Sequence, residues 1–161
     1  FDTWSDFWKQ FYFSPTILTI GLTSGVMIVI IDIVLMKYLP SKYYDDGGVN
    51  ARIFTDRSMG EIALLAFFIS ISEEILFRGV LQFHFGLILS SIIFALIHFR
   101  YWAHWFLIVN IVLLSFWIGF IYEQTENLLV TIIMHFVIDF LLGMHMRKKG
   151  RQRSKEGMSH E

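Results

Sequence analysis

Between Trp102 and Tyr122 the chain carries no Asp, Glu, Lys or Arg, and a run of that kind leaves few folding options. About 20 apolar residues in a helix cross the ~30 Å of hydrocarbon in a bilayer, where a helix satisfies its own backbone polar groups. Thr16 to Met36 is a second such run, interrupted only by Asp32. Glu61 to Phe83 is as long but holds Glu73, Glu74 and Arg78 inside it. Gly86 to His98 and Asn127 to Gly143 are shorter and read as tilted, broken or partly shielded spans. The expectation is an all-α, polytopic transmembrane helix bundle of about five spans. Trp4, Trp8 and Tyr12 ahead of the first span, and Tyr101, Trp102 and Trp105 at the start of the fourth, form the aromatic belt of an interface.

Composition agrees: 55% of the 161 residues are hydrophobic and 17% charged, against roughly 25% charged in an ordinary soluble domain. The absence of cysteine removes disulfides, thiolate nucleophiles and Cys-ligated zinc together. A net charge of −1 and the lack of any base-reading motif argue against nucleic acid as a partner. Membrane lipid and a peptide or membrane-protein substrate are the expected partners.

Alternating crossings place Lys37, Lys42, Arg52, Arg57, Arg100 and the basic residues after Met146 on one side, with Lys9 alone on the other. The positive-inside rule makes that side cytoplasmic, so the reading is a multi-pass cell-membrane protein with its C-terminus inside. Residues 1–146 are expected to form one membrane-embedded domain, and 147–161 a disordered basic tail. The chain opens on Phe without a charged segment and cleavage site, so its start reads as a fragment or processed product rather than a signal peptide. Gly21 and Gly25 have the spacing that lets a second helix approach closely. Asp32 lies about one turn from the end of its span, within reach of the interface.

Ionisable groups inside a span cost at least a few kcal/mol each and are functional candidates by default. Here they are Glu73, Glu74, Arg78, His98, His135 and Asp139. Glu74 and Arg78 share a helix face and can pair, while Glu73, turned about 100° away, faces something else. His135 and Asp139, also four apart, project together. Each taken alone has a plain structural explanation, a locked ion pair or an interfacial histidine. Together on successive apolar helices they are most cheaply buried by converging, since each then satisfies another.

A carboxylate in a low-dielectric pocket is a stronger base than in water, and an imidazole can accept and pass on the proton. A second His/Asp pair can stabilise the oxyanion formed when water attacks a carbonyl. Alternatively Glu73, His98 and His135, with Asp139, could ligate a divalent metal such as zinc. Other intramembrane chemistries lack their motifs: there is no His-Glu-x-x-His, no Gly-x-Gly-Asp and no Gly-x-Ser-Gly. His84 and His104 match no motif and lie near span ends.

Glu73-Glu74-Ile75-Leu76-Phe77-Arg78, Phe94-Ala95-Leu96-Ile97-His98 and His135-Phe136-Val137-Ile138-Asp139 resemble, in order, Glu-Glu-x-x-x-Arg, Phe-x-x-x-His and His-x-x-x-Asn/Asp. These are the three motifs of the CPBP family, the CAAX-protease and bacteriocin-processing membrane proteins. Phe116-Trp117-Ile118-Gly119 resembles the Phe-x-x-Gly element of the same family. The resemblance covers about 61–143 and implies an intramembrane endopeptidase, glutamate- or metal-dependent, in a helical bundle with a polar cavity. By position it makes Glu73 and His98 the water-activating pair, Glu74 and Arg78 supporting residues, and His135 with Asp139 the oxyanion site. The last position departs from the CAAX-processing branch, where it resembles Asn. An ionised Asp donates no hydrogen bond, so Asp139 must carry a proton, orient His135 or bind a metal. A non-catalytic membrane scaffold or bacteriocin-immunity protein on the same fold is the alternative, and proton-coupled transport finds little support without an inverted repeat.

Depth poses one further condition. Counted from Glu61 at 1.5 Å per residue, Glu73 lies ~18 Å into the membrane, whereas a fully crossing third span would leave His98 among the headgroups. If the two are to meet, the chain must break, and the expected break is Gln82 to Gly86.

Overall fold

The computed structural model describes residues 4–158, all of whose regular elements are helical. A short α1 (Trp4–Trp8) precedes a π-helical segment (Ile17–Leu22) that runs into α2 (Thr23–Tyr38). After the connecting α3 (Val49–Phe54), α4 (Met59–Glu74) passes through a second π-helical segment (Ile75–Gln82) into α5 (Phe83–Ile97). Two long helices complete the bundle, α6 (Trp105–Thr125) and α7 (Leu128–Met158). Among the described residues, four helical stretches are long and apolar enough to cross a membrane: Ile17–Tyr38, Met59–Ile97, Trp105–Thr125 and Leu128–Gln152.

The difference from about five spans lies in Met59–Ile97. At 39 residues it would be ~58 Å long if straight, about twice the hydrocarbon thickness. It is not straight. Gly86, with φ 78° and ψ 170°, adopts a backbone conformation essentially reserved for glycine and breaks the helix, at the end of the segment expected to do so. The arm beyond it folds back on the π-helical segment, where the rings of Phe77 and Phe94 meet edge to face at 4.8 Å. Residues about equally far from Gly86 on the two arms thus lie level, and the returning arm, ~18 Å long, ends at His98 near the level of Glu74. The third span is a half-length re-entrant arm.

Other helices take their direction from their contacts. α6 runs alongside the ascending arm, with Ser115 against Arg78 and Gly119 against Gln82. α7 runs the opposite way, with His135 on Glu74 and Gly143 beside Ile62 and Phe54. The first span lies parallel to α7, and the two glycines explain how closely. A Cβ at Gly21 would sit 2.6 Å from the carbonyl oxygen of Val130, and one at Gly25 would sit 2.9 Å from that of Met134. The apolar core between them comprises Val29, Ile118, Ile121, Val130, Met134 and Ile138.

Polarity is distributed as a bilayer requires. Phe68, Ile88 and Leu113 face outward, 61–68% exposed, while Glu74 and Arg78 are at most 1% exposed. The basic connections converge at one end: Arg100 pairs with Asp46 at 3.1 Å, and Arg151 Nε donates to the Thr55 carbonyl. Residues 147–158, expected as disordered tail, continue α7 in helical conformation. The physical reason is support, since Gly150 lets this stretch lie directly on Thr55 and Lys149 reaches the Tyr44 hydroxyl.

Candidate active site

The site is assembled on the ascending arm, where the α-helix gives way to π-helical turns immediately after Glu74. Such insertions are frequent at functional sites because they change which side chains share a face. Glu74 and Arg78 point inward and are sealed, their side chains 0% and 1% exposed and joined by a 3.1 Å contact from Nη1 to Oε1. The other guanidinium nitrogen, Nη2, donates to the Ser115 carbonyl at 3.0 Å, and the guanidinium lies over the Phe94 ring at 5.0 Å. Arg78 therefore ties the ascending arm, the returning arm and α6 into one unit.

Glu74 has a second partner. His135 Nδ1 lies 2.7 Å from the same Oε1. With the carboxylate paired to Arg78, that oxygen accepts, so Nδ1 carries a proton and donates. This turns Nε2 toward Glu73 and Asp139, whose nearest oxygens are 3.9 Å and 3.5 Å away. Unlike Glu74, both carboxylates remain open, 26% and 31% exposed. The adjacent glutamates thus divide the work as their 100° separation predicts: one is sealed and structural, the other faces a space that water can enter.

His98 ends the returning arm, its ring 4.5 Å from that of Phe94. Its Nδ1 lies 2.7 Å from the Phe94 carbonyl oxygen. A carbonyl only accepts, so Nδ1 carries a proton, and Nε2 is the ring nitrogen left to take part in proton transfer. His98, Glu73, His135 and Asp139 all line one cavity of about 710 Å³. This is the volume of a typical ligand site, with apolar walls and a few converging polar groups.

The chain belongs to the Rce1-like family. The model of that family, described as type II CAAX prenyl endopeptidase Rce1-like, matches residues 56–141, a stretch that holds all three motifs and every residue of the cluster. A relative from Bacillus subtilis (strain 168), named "Uncharacterized protein YpbD", is 42% identical over 139 residues, covering 86% of this chain and 74% of its own. No solved structure matches. Rce1-like membership supports a protease, and the apolar helices support a membrane protein.

The Rce1-like motifs do not contain every residue that holds this site together. Ser115, which receives Arg78, and Gln82, whose Nε2 donates to the Gly119 carbonyl at 2.8 Å, carry the packing of α6 against the site. A Cβ at Gly119 would meet Leu87 Cδ1 at 2.3 Å and Gln82 Oε1 at 2.8 Å, which accounts for the glycine of the Phe-x-x-Gly element. Asp32, read as reaching the interface, instead accepts a 2.9 Å hydrogen bond from Asn110 and lines the same cavity. Lone amides and hydroxyls within apolar spans were the available signal. Glu73, His98 and His135 share the cavity, and among the described residues no three His, Asp or Glu side chains stand close enough together to hold a metal ion. Nδ1 of His135 is bound to Glu74 and Nδ1 of His98 to the Phe94 carbonyl, which leaves Nε2 of each ring as the nitrogen that could meet a proton or a metal ion.

Proposed function

We propose that this protein is an intramembrane endopeptidase in which Glu73 and His98 activate a water molecule for attack on a peptide carbonyl. The observation that carries the reading is the contrast between Glu74, sealed at 0%, and Glu73, 26% exposed on a cavity shared with both histidines. Glu73 takes a proton from water as the oxygen bonds to the carbonyl carbon. His98, its Nε2 unprotonated, is available to share that proton and return it to the leaving amine. As an imidazolium, His135 has an Nε2–H to donate to the developing oxyanion. Glu74 holds the ring through Nδ1, and Asp139 lies within 3.5 Å of Nε2.

The cavity continues between α2 and α6 along Ile31, Leu107 and Trp117 to Tyr44 and Asn50 at the basic end of the bundle. A corridor with such walls suits a peptide carrying an apolar segment or lipid group, such as a prenylated C-terminus, rather than a freely soluble one. We assign the basic end to the cytoplasm, because the charged connections converge there and the positive-inside rule applies to loops of this length.

The test compares peptides accumulating in membranes that contain wild-type protein or Glu73→Gln, followed by in vitro cleavage of the candidates by purified full-length protein. Peptides specific to the wild type, with at least a 10²-fold loss in Glu73→Gln, are expected. Identical peptide inventories, or full turnover by the variant, would reject the mechanism. A cellular phenotype that survives in motif variants would favour the scaffold reading.

A further inference from the structure

A second recess lies away from the protease cluster, between α2 and the C-terminal half of α7, with a volume of about 670 Å³. Its two ends differ in chemistry. One is walled by Val29 and Ile33 of α2 and by Leu141 and Met144 of α7; the other is lined by Arg147, Lys148 and Arg151. No carboxylate lines it. The Nε of Arg147 is buried and, among the described residues, has no hydrogen-bond partner. A shielded N–H of this kind calls for an acceptor, and a charged acceptor above all.

The register of α7 sets the depth of each end. From Leu128 to Arg147 the helix rises ~28 Å, close to the thickness of the hydrocarbon layer. Leu141 and Met144 are therefore within the acyl region, and Arg147, Lys148 and Arg151 stand at headgroup level. The apolar wall and the cationic end follow each other as acyl chain and phosphate do in a lipid.

We propose that this recess is a binding site for an anionic glycerophospholipid, with an acyl chain along Val29, Ile33, Leu141 and Met144 and the phosphate at Arg147, Lys148 and Arg151. Charge complementarity selects the occupant: the end is cationic without a compensating acid, and basic pockets between transmembrane helices are suited to acidic headgroups. The bound lipid would fasten α2 to α7, and so brace the helix that carries His135 and Asp139. The inference does not depend on the protease assignment.

Full-length protein in detergent is delipidated, then titrated with phosphatidylglycerol or phosphatidylcholine, and bound lipid is counted by native mass spectrometry. Saturable binding of phosphatidylglycerol over phosphatidylcholine is expected, reduced about fivefold by Arg147→Gln and unchanged by the charge-matched Arg57→Gln. Ile33→Trp, which fills the apolar end and keeps every charge, should also reduce binding. Unfolding temperature without lipid checks that each variant is folded. Equal losses in Arg147→Gln and Arg57→Gln would overturn the site in favour of diffuse surface attraction. Full competition by millimolar glycerol phosphate would overturn it in favour of a simple phosphate site. Retained binding in Ile33→Trp would remove the acyl half of the proposal.

Discussion

Replacing Arg78 by Met should destabilise the bundle by about 3–5 kcal/mol, the cost of leaving one member of a buried ion pair without its partner. The structure decides which lost interaction dominates. Arg78 gives up its hydrogen bonds to two residues, to Glu74 at 3.1 Å and to the carbonyl and hydroxyl oxygens of Ser115 at 3.0 and 3.3 Å. The hydrogen bonding to Ser115 comes from a charged donor and contributes about 1.5–3 kcal/mol, which makes the Ser115 contact the smaller term. The major term is the Glu74 carboxylate, 0% exposed, left with His135 as its remaining charge-compensating neighbour. Against a total stability of ~5–15 kcal/mol, such a loss moves the unfolding transition far toward low denaturant. The double variant Glu74→Gln/Arg78→Met removes both charges and keeps an acceptor oxygen for His135 Nδ1–H. Its cost should fall to about 1–2 kcal/mol, about 2–3 kcal/mol less than that of Arg78→Met alone. The assay is reversible unfolding in mixed dodecylmaltoside and sodium dodecyl sulfate micelles, followed by tryptophan fluorescence. A loss below about 1 kcal/mol for Arg78→Met, or a double variant as unstable as the sum of the single ones, would refute the buried-pair argument.

Gly86→Ala puts a side chain at φ 78°, ψ 170° and should cost about 1–3 kcal/mol. Because it perturbs the turn that returns His98 to the site, cleavage should fall more than stability does; an unchanged unfolding midpoint and rate would contradict the re-entrant arm. Gly25→Leu forces atoms into the Met134 carbonyl and Val137, and the same micelle titration should show a loss of about 1–3 kcal/mol; a neutral result would mean that α2 and α7 do not cross there. Asp139→Asn, which can both accept and donate, should keep most activity, whereas Asp139→Ala should lose about 10²-fold or more in kcat. Wild-type rates in both variants would show that Asp139 has no part in the oxyanion site.

Much of this protein was legible without coordinates because hydrocarbon is an unforgiving solvent. Uncharged runs such as Trp102 to Tyr122 have no other stable use, and the Glu74–Arg78 and His135–Asp139 spacings dictate shared faces through helix geometry alone. Membership of the Rce1-like family was legible in three short motifs for the same reason: in spans with so few ionisable groups, those present stand out. Even the break near Gly86 follows from requiring His98 and Glu73 to meet.

What a linear reading could not supply was every relation between helices. Nothing in residues 73 and 74 says which glutamate is sealed; that depends on Arg78 reaching Ser115 and on His135 arriving from an antiparallel helix. The folding of Met59–Ile97 into one full crossing and one half-length arm turned on a single backbone conformation, since length and hydropathy fit two spans equally well. Of the expected tail, 147–158 is helical and 159–161 lies outside the described residues; Thr55 and Tyr44 lie beneath its first turns. The identity of the spans is set by transfer from water to hydrocarbon, a property of each segment by itself. Site geometry and the lipid recess are set by packing between segments, which only the assembled bundle defines.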